Sequence, residues 1–201
     1  MLFKQEFKDL PNLLPVDGEL YYLPSFFDRQ QSKEMMDLLH ASIHWEKEKF
    51  TLFGKTIELK RKVAWYGDPG LCYRYSGNTK IALNWTDELV KIRTQLELVT
   101  GERFNSCLLN YYHNGLEAMG WHRDNEPELV KNAAVASLSF GEERMFKFKH
   151  LESGNTLSIQ LETGSLLLMK GSIQEHWLHA LPKTTRSTAP RINLTFRLLN
   201  T

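Results

Sequence analysis

The second half of the chain is a succession of short segments rich in branched and aromatic residues, and this pattern limits the fold more than any other feature. Turn-forming residues such as Ser153, Gly154 and Asn155 separate neighbouring segments. Many short strands with such turns favour a closed barrel or a two-sheet jelly roll over a parallel α/β sheet. The predicted strands span residues 106–112, 133–140, 145–150, 156–161, 165–169 and 192–198.

Two amphipathic helices are predicted ahead of these strands. Apolar residues recur at helical spacing over residues 30–39, and either Ser25 or Asp28 is suited to cap the start of that helix. A second helix is predicted over residues 86–99, with Gly101 closing it. We expect an α+β protein that is mainly β, in which both helices buttress one sheet.

Length and composition favour a single domain, because 201 residues with 42% hydrophobic content can enclose one core. We divide it into an N-terminal arm with the first helix (1–49), hairpins with the second helix (50–100) and a jelly-roll core (101–201).

The net charge of +1 neither requires nor excludes a polyanionic partner. No stretch approaches about 18 continuous apolar residues and no leader is visible, so we expect a cytoplasmic protein without a membrane partner. Cys72 and Cys107 are expected to be reduced, buried thiols.

An H-x-D pair, His122 and Asp124, is a candidate metal site. In an extended strand, residues two apart point to the same face, so both could grip one ion while Arg123 faces away. A later segment offers a second imidazole, from either His176 or His179. Two histidines and one carboxylate bind non-haem iron(II) and leave positions for a co-substrate and oxygen. Spacing alone does not choose between the two later histidines.

The last predicted strand alternates polar and apolar residues, with Arg191, Asn193, Thr195 and Arg197 on one face. One interpretation is an edge strand with a solvated face. The other places the polar face inside the barrel, where two guanidiniums offer bidentate sites for the carboxylates of a dicarboxylic acid. 2-Oxoglutarate is such an acid, and it can chelate iron through its 2-oxo and 1-carboxylate oxygens.

Four motifs extend this pattern: residues 110–112 (Asn-Tyr-Tyr), 122–126 (His-Arg-Asp-Asn-Glu), 136–141 (Ala-Ser-Leu-Ser-Phe-Gly) and 189–197 (Ala-Pro-Arg-Ile-Asn-Leu-Thr-Phe-Arg). With them, the chain from about residue 50 to residue 199 resembles the AlkB-type nucleic-acid dealkylating dioxygenases, particularly the animal members that act on double-stranded DNA. The resemblance implies a double-stranded β-helix core and the oxidative repair of N-alkylated DNA bases such as 1-methyladenine and 3-methylcytosine.

The resemblance also implies roles for individual residues around iron(II) and 2-oxoglutarate. It selects His179 as the third iron ligand beside His122 and Asp124. It implies that Arg191 meets the distal carboxylate of 2-oxoglutarate, with Arg197 near the metal-side carboxylate. The other residues assigned to the co-substrate pocket are Asn110, Tyr112 and Asn193.

A nucleic-acid surface is implied as well, with a hairpin lid over the pocket. Tyr75 would stack the flipped base against His122. Phe53, beside a glycine and followed by a basic run, would be an intercalating finger. The residues implied to contact nucleic acid are Phe53, Arg61, Tyr73, Tyr75, Arg123 and Glu126.

Alternative functions stay open from the sequence. The same chemistry could act on RNA or on a protein side chain instead of DNA. The protein could also be a binding module of this fold, with a structural metal or none. That alternative gives no role to the pair of Arg191 and Arg197 on one face. We expect a monomer whose partner is DNA, single- or double-stranded, with RNA as the second candidate, and a nuclear location if the source is eukaryotic.

Overall fold

Strands dominate the computed structural model, which describes residue 7 and residues 9–52, 55–75 and 78–200. The helices of this part are α1 (Arg29–Ser42), α2 (Asp87–Thr100) and α3 (Ile173–His176). The strands are β1 (Glu19–Leu23), β2 (Glu46–Leu52), β3 (Lys55–Gly67), β4 (Cys72–Tyr75), β5 (Asn78–Ile81), β6 (Leu83–Asn84), β7 (Ser106–Tyr112), β8 (Met119–His122), β9 (Val135–Gly141), β10 (Arg144–His150), β11 (Thr156–Leu161), β12 (Leu166–Lys170), β13 (Trp177–Leu181) and β14 (Arg191–Arg197).

Strands β7 to β14 are shared between two sheets and form a jelly roll. The larger sheet has the order β1-β12-β9-β14-β7-β3-β2, with β6 beside β3, and the smaller sheet has the order β11-β10-β13-β8. Neighbouring strands of this core are antiparallel. The predicted α+β jelly roll is therefore confirmed, with β14 central in the larger sheet and β8 at an edge of the smaller one.

The hydrophobic core lies on both faces of the larger sheet. On one face, Leu39 of α1 and Leu96 of α2 pack in the same cluster as Leu194 of β14. On the other face, Phe148 and Trp177 of the smaller sheet belong to a second cluster with residues of β9 and β12. The helices thus buttress the larger sheet, as the sequence predicts, and leave its opposite face to the smaller sheet.

Each long helix has local residues that fix its ends. Asp28 caps α1, since its side chain accepts from the Gln31 N–H at 2.8 Å and the Gln31 side chain accepts from the Asp28 N–H at 3.1 Å. This reciprocal capping box decides between the two candidate caps and excludes Ser25. Thr86 caps α2, and Gly101 ends it in a left-handed conformation with φ 75°.

Several sequence-based expectations are wrong or incomplete. The solvated-edge interpretation of the last strand is wrong, because β14 lies between β9 and β7 and buries Arg191 and Asn193. Cys107 is buried as expected and Cys72 is exposed, and both thiols are free. Strand β13 and helix α3 are absent from the sequence prediction because their short, mixed segments have no clear period.

Two hairpins stand beside the core where recognition hairpins are expected. β2 pairs with β3, and β4 pairs with β5 in a separate two-stranded sheet. The proposed finger residue, Phe53, lies outside the described residues. Among the helices that the structure describes, none is both long and apolar enough to cross a membrane.

Leu194 is completely buried at the centre of the larger sheet. Replacing it with Ala is expected to lower the free energy of unfolding by about 2–5 kcal/mol, because it removes packed methyl groups and leaves a cavity. Urea denaturation measures the change. Leu98→Ala, at a side chain 64% exposed on α2, is the matched control and should cost less than about 0.5 kcal/mol. Equal losses in both variants would contradict the assigned core.

Candidate metal and co-substrate site

His122, Asp124 and His179 come together where β8 meets β13. The two histidines are paired across these strands, with 3.2 Å between their Nε2 atoms. Oδ1 of Asp124 lies 4.0 Å from Nε2 of His122, and the three ligand atoms lie within 4.8 Å of one another. One metal ion bound at about 2.0–2.2 Å from each ligand fits such a cluster with small side-chain shifts.

The ring hydrogen bonds favour metal binding at this cluster. Nδ1 of His122 lies 2.8 Å from the backbone oxygen of Gly120, which can only accept, so Nδ1 carries the proton and Nε2 presents its lone pair. Burial lowers the pKa of His179 to about 4, which keeps its imidazole neutral, the form that binds a metal.

A second cluster, formed by Asp17, His150 and His176, has the opposite arrangement. Nδ1 of His150 accepts from the Ser153 N–H at 3.1 Å, so Nε2 carries the proton and donates to Asp17 at 3.0 Å. A metal at Nε2 would break this pattern. The cluster is therefore a hydrogen-bonded pair that fixes the N-terminal arm, and the structure places His176 there and not beside His122.

Asp124 owes its position to tertiary contacts. The expectation that one strand carries both His122 and Asp124 is wrong, since β8 ends at His122. The Asp124 N–H donates to Oε1 of Gln174 at 2.9 Å, and Oδ2 accepts from Nε of Arg197 at 2.9 Å. Nη2 of Arg197 forms an ion pair with the same Oδ2 at 2.8 Å. Arg197 thus occupies one carboxylate oxygen and leaves Oδ1 facing His122. Burial raises the pKa of Asp124, but Arg197 and the two imidazoles together bring it below its usual value, so the carboxylate is ionised.

Arg191 is a buried cation in the same pocket. Its side chain donates from Nη2 to the Ser139 hydroxyl at 3.0 Å, and its Cζ lies 5.5 Å from the centre of the Tyr112 ring. Within the described residues, no carboxylate lies within salt-bridge distance of Arg191, and its Nε has no hydrogen-bond partner. Burial lowers its pKa to about 10, so the guanidinium is charged at neutral pH. Because an unpaired buried charge is costly, this site favours an anionic ligand.

Asn193 and Asn110, also predicted to contact the co-substrate, differ in their hydrogen bonding. Nδ2 of Asn193 donates to the Ser137 hydroxyl and to a backbone oxygen of β9, both at 2.8 Å, and its Oδ1 accepts from Thr195 at 3.1 Å. These bonds occupy its amide, so Asn193 shapes the pocket wall. Oδ1 of Asn110 is buried without a partner in the described part of the chain and is available to a ligand.

One pocket joins the metal cluster to Arg191. It contains every residue that the sequence assigned to iron or 2-oxoglutarate. It is lined by Leu108, Asn110, Tyr112, Met119, His122, Asp124, Ser137, Phe146, Met169, His179, Leu181, Arg191, Asn193, Thr195 and Arg197.

Sequence reasoning missed several residues of this site. Ser137 and Ser139 bond to Asn193 and Arg191, and both lie in the 136–141 motif, where their alternation places them on one face of β9. Phe146 packs its ring 5.5 Å from that of His179. Gln174 contacts Asp124 from a helix with no motif of its own, so no local pattern indicates it.

The residues implied to contact nucleic acid are less completely described. Tyr73 and Tyr75 lie on β4, but their side chains are outside the described part. Arg61 is half-buried on β3, and Glu126 is exposed in the loop after Asp124. That loop lines a second cavity of about 360 Å³ beside the metal cluster. Arg123 donates from Nη1 to the backbone oxygen of Glu175 at 2.8 Å.

Comparison with known families agrees with this geometry. The sequence model of the 2OG-Fe(II) oxygenase superfamily matches residues 19–197. The chain belongs to this superfamily. Within the superfamily it is of the AlkB type: it is 39% identical to DNA oxidative demethylase ALKBH2 of Bos taurus over 180 residues, which cover 82% of this chain and 65% of that protein. The corresponding Mus musculus protein is also 39% identical, with 82% and 75% covered. The chain thus spans about two thirds to three quarters of these relatives.

Other relatives extend the same comparison. The Bos taurus protein named alpha-ketoglutarate-dependent dioxygenase alkB homolog 3 is 36% identical over 184 residues, covering 87% of this chain and 64% of that protein. The solved structure of OsALKBH1 superposes with a TM-score of 0.63 at 17% identity, covering 89% of this chain and 97% of that one. At that identity, the match shows the fold alone.

The cofactors of this superfamily, iron(II) and 2-oxoglutarate, fit the residues present. Two imidazoles and one carboxylate form the ligand set that suits iron(II). Arg191, buried without a carboxylate, suits the far end of a dicarboxylic acid.

Arg191→Met keeps the length of the side chain but removes its charge. We expect it to weaken 2-oxoglutarate binding by roughly 10- to 150-fold, since hydrogen bonds to a charged group contribute about 1.5–3 kcal/mol. Calorimetric titration of the manganese-loaded protein with 2-oxoglutarate measures the affinity. Arg186→Met, at an exposed arginine, is the control and should bind as the unmodified protein does. Equal affinity in both variants would rule out the assigned carboxylate site.

Proposed function

We propose that this chain is a DNA oxidative demethylase that removes alkyl groups from N-alkylated bases of the 1-methyladenine and 3-methylcytosine type, and thereby repairs alkylation damage. The observation that carries the proposal is a buried arginine, Arg191, that lacks an acidic partner in the described residues and shares one pocket with His122, Asp124 and His179. Relatives named DNA oxidative demethylase support DNA as the substrate.

The metal and co-substrate roles follow from the contacts of the pocket. His122, Asp124 and His179 would hold iron(II), which together with 2-oxoglutarate and dioxygen supplies hydroxylation of the alkyl carbon, yielding succinate, carbon dioxide and, after loss of an aldehyde, the free base. Arg197 holds Oδ2 of Asp124 and so keeps Oδ1 directed at the metal position. Arg191 binds the distal carboxylate of 2-oxoglutarate, with Asn110 and Tyr112 beside it and Asn193 bracing the wall.

On the substrate side, a base stacked in a duplex cannot reach this pocket and has to be flipped out or already single-stranded. Tyr75 stacks on the flipped base with Tyr73 beside it, and Glu126, exposed next to the metal cluster, contacts the base edge and favours a cationic methylated base. The strand contacts are assigned to Phe53, Arg61 and Arg123, of which Arg123 has N–H groups beyond the one that Glu175 accepts.

The proposal extends to the domain organisation, the oligomeric state and the location of the protein. Residues 101–201 form the catalytic core, residues 50–100 recognise the nucleotide, and residues 1–49 brace the core, all within one domain. The enzyme acts as a monomer on single- or double-stranded DNA, with RNA as a second substrate. It works in the cytoplasm, or in the nucleus if the source is eukaryotic.

The direct test is mass spectrometry of oligonucleotides carrying 1-methyladenine or 3-methylcytosine, single- and double-stranded, DNA and RNA. With iron(II), 2-oxoglutarate and oxygen, the mass of one methylene group should disappear from the DNA and succinate should accumulate. His179→Ala should abolish both signals because it removes one of three metal ligands. His176→Ala is the control and should remain active. Normal DNA binding without succinate formation would refute the enzymatic function.

Phe53→Ala tests the finger. We expect activity on duplex DNA to fall about tenfold or more while activity on single strands stays within about twofold, because a wedge is needed only to unstack a paired base. Phe53→Leu, which retains an apolar wedge, should keep most of the duplex activity. If Phe53→Ala left both activities unchanged, the finger role would be excluded.

A further inference from the structure

The backbone of Asp124 is held by one side chain from a distant part of the chain. β8 ends two residues earlier, so no strand partner takes the Asp124 N–H, which donates to Oε1 of Gln174 at 2.9 Å. Because a backbone N–H can only donate, the amide of Gln174 must present its oxygen here. Its Nε2 points to the sulfur of Met169 at 3.6 Å, which agrees with that orientation.

Gln174 lies on α3, a single helical turn that is fixed on several sides. Ile173 is 2% exposed, and Gly18 of the arm packs so closely that a Cβ there would lie 2.8 Å from the Ile173 backbone. The arm also accepts a hydrogen bond from the Trp177 indole through the Val16 oxygen at 3.2 Å. The backbone of α3 that carries Gln174 is therefore held by the core and the arm.

The same helical turn contacts both ligand-bearing segments of the metal cluster. Arg123 and Asp124 are bonded to it through Glu175 and Gln174, and β13 with His179 follows it directly. A shift of the turn would change the spacing between Asp124 and His179. Arg197 orients the carboxylate of Asp124, whereas Gln174 fixes the backbone from which that carboxylate extends.

We propose that Gln174 is a positioning residue of the metal centre, which sets the place of the Asp124 ligand through the Asp124 backbone N–H. Residues that orient metal ligands typically contribute about 10- to 100-fold to metal affinity or activity. The role depends on an acceptor at Oε1 and not on the volume of the side chain. The inference rests on the metal centre proposed above.

Two variants of similar length separate the acceptor from the packing. Gln174→Met fills the same space without an acceptor, and Gln174→Glu keeps an acceptor oxygen in the same place. Glu175→Ala, at the exposed neighbouring position, retains the backbone oxygen that Arg123 uses and serves as the control. The full chain without 2-oxoglutarate is titrated with cobalt(II), whose visible absorption reports ligand geometry, and thermal unfolding of each metal-free variant checks folding.

We expect Gln174→Met to bind cobalt about 10- to 100-fold more weakly with an altered absorption band, while Gln174→Glu and Glu175→Ala stay within about threefold. If Gln174→Met does not fold, Gln174→Asn, whose shorter amide stops short of the N–H, takes its place with the same expectation. The positioning role would be overturned if Gln174→Met, or Gln174→Asn in its place, bound cobalt with the affinity and absorption of the native chain. It would also be overturned if Gln174→Glu lost as much cobalt affinity as Gln174→Met. A native chain that binds no cobalt would instead overturn the metal centre itself.

Discussion

The ion pair between Arg197 and Asp124 joins the two sheets at the point where the metal ligands meet. Arg197 ends the central strand of the larger sheet, and Asp124 follows an edge strand of the smaller one. A hydrogen bond of 2.9 Å from Nε and an ion-pair contact of 2.8 Å from Nη2 reach the same carboxylate oxygen. Removing one partner of such a buried pair costs about 3–5 kcal/mol, because the other charge is left uncompensated. The pair therefore fixes the spacing between the sheets and the direction of the free carboxylate oxygen together.

The central strand β14 gives the two halves of the pocket a common support. Its apolar side chains belong to the core beneath the helices, and its polar side chains line the pocket. Arg191 at one end is buried and Arg197 at the other is half-buried, but only Arg197 has an acidic partner among the described residues. The charge of Arg197 is thus neutralised within the protein, whereas the charge of Arg191 favours an anionic ligand. This asymmetry explains why a dicarboxylic acid, and not a neutral molecule, suits the pocket.

Hydrogen bonds at the ring nitrogens distinguish two clusters that look alike by composition. In each, two histidines and one aspartate lie within reach of one ion. The carbonyl oxygen at Nδ1 of His122 leaves its Nε2 open, whereas the N–H at Nδ1 of His150 forces a proton onto Nε2. The first arrangement suits a metal, and the second suits the bond that ties Asp17 to the core.

The sequence alone determined the features that depend on local order: a closed barrel or two-sheet jelly roll from the succession of short strands, the span of the two long helices to within a few residues, and the polar face of β14. Resemblance to a family selected the jelly roll and His179, which no period encodes, whereas the finger role of Phe53 stays a prediction. Tertiary structure decided that β14 is central, that Asp28 caps α1, and that Asp124 is held by Gln174 and Arg197. Gln174 and Arg197 lie 50 and 73 positions along the chain from Asp124. Sequence periodicity indicates only which face of its own helix or strand a residue lies on. Which residue it contacts from a distant element depends on how the elements pack.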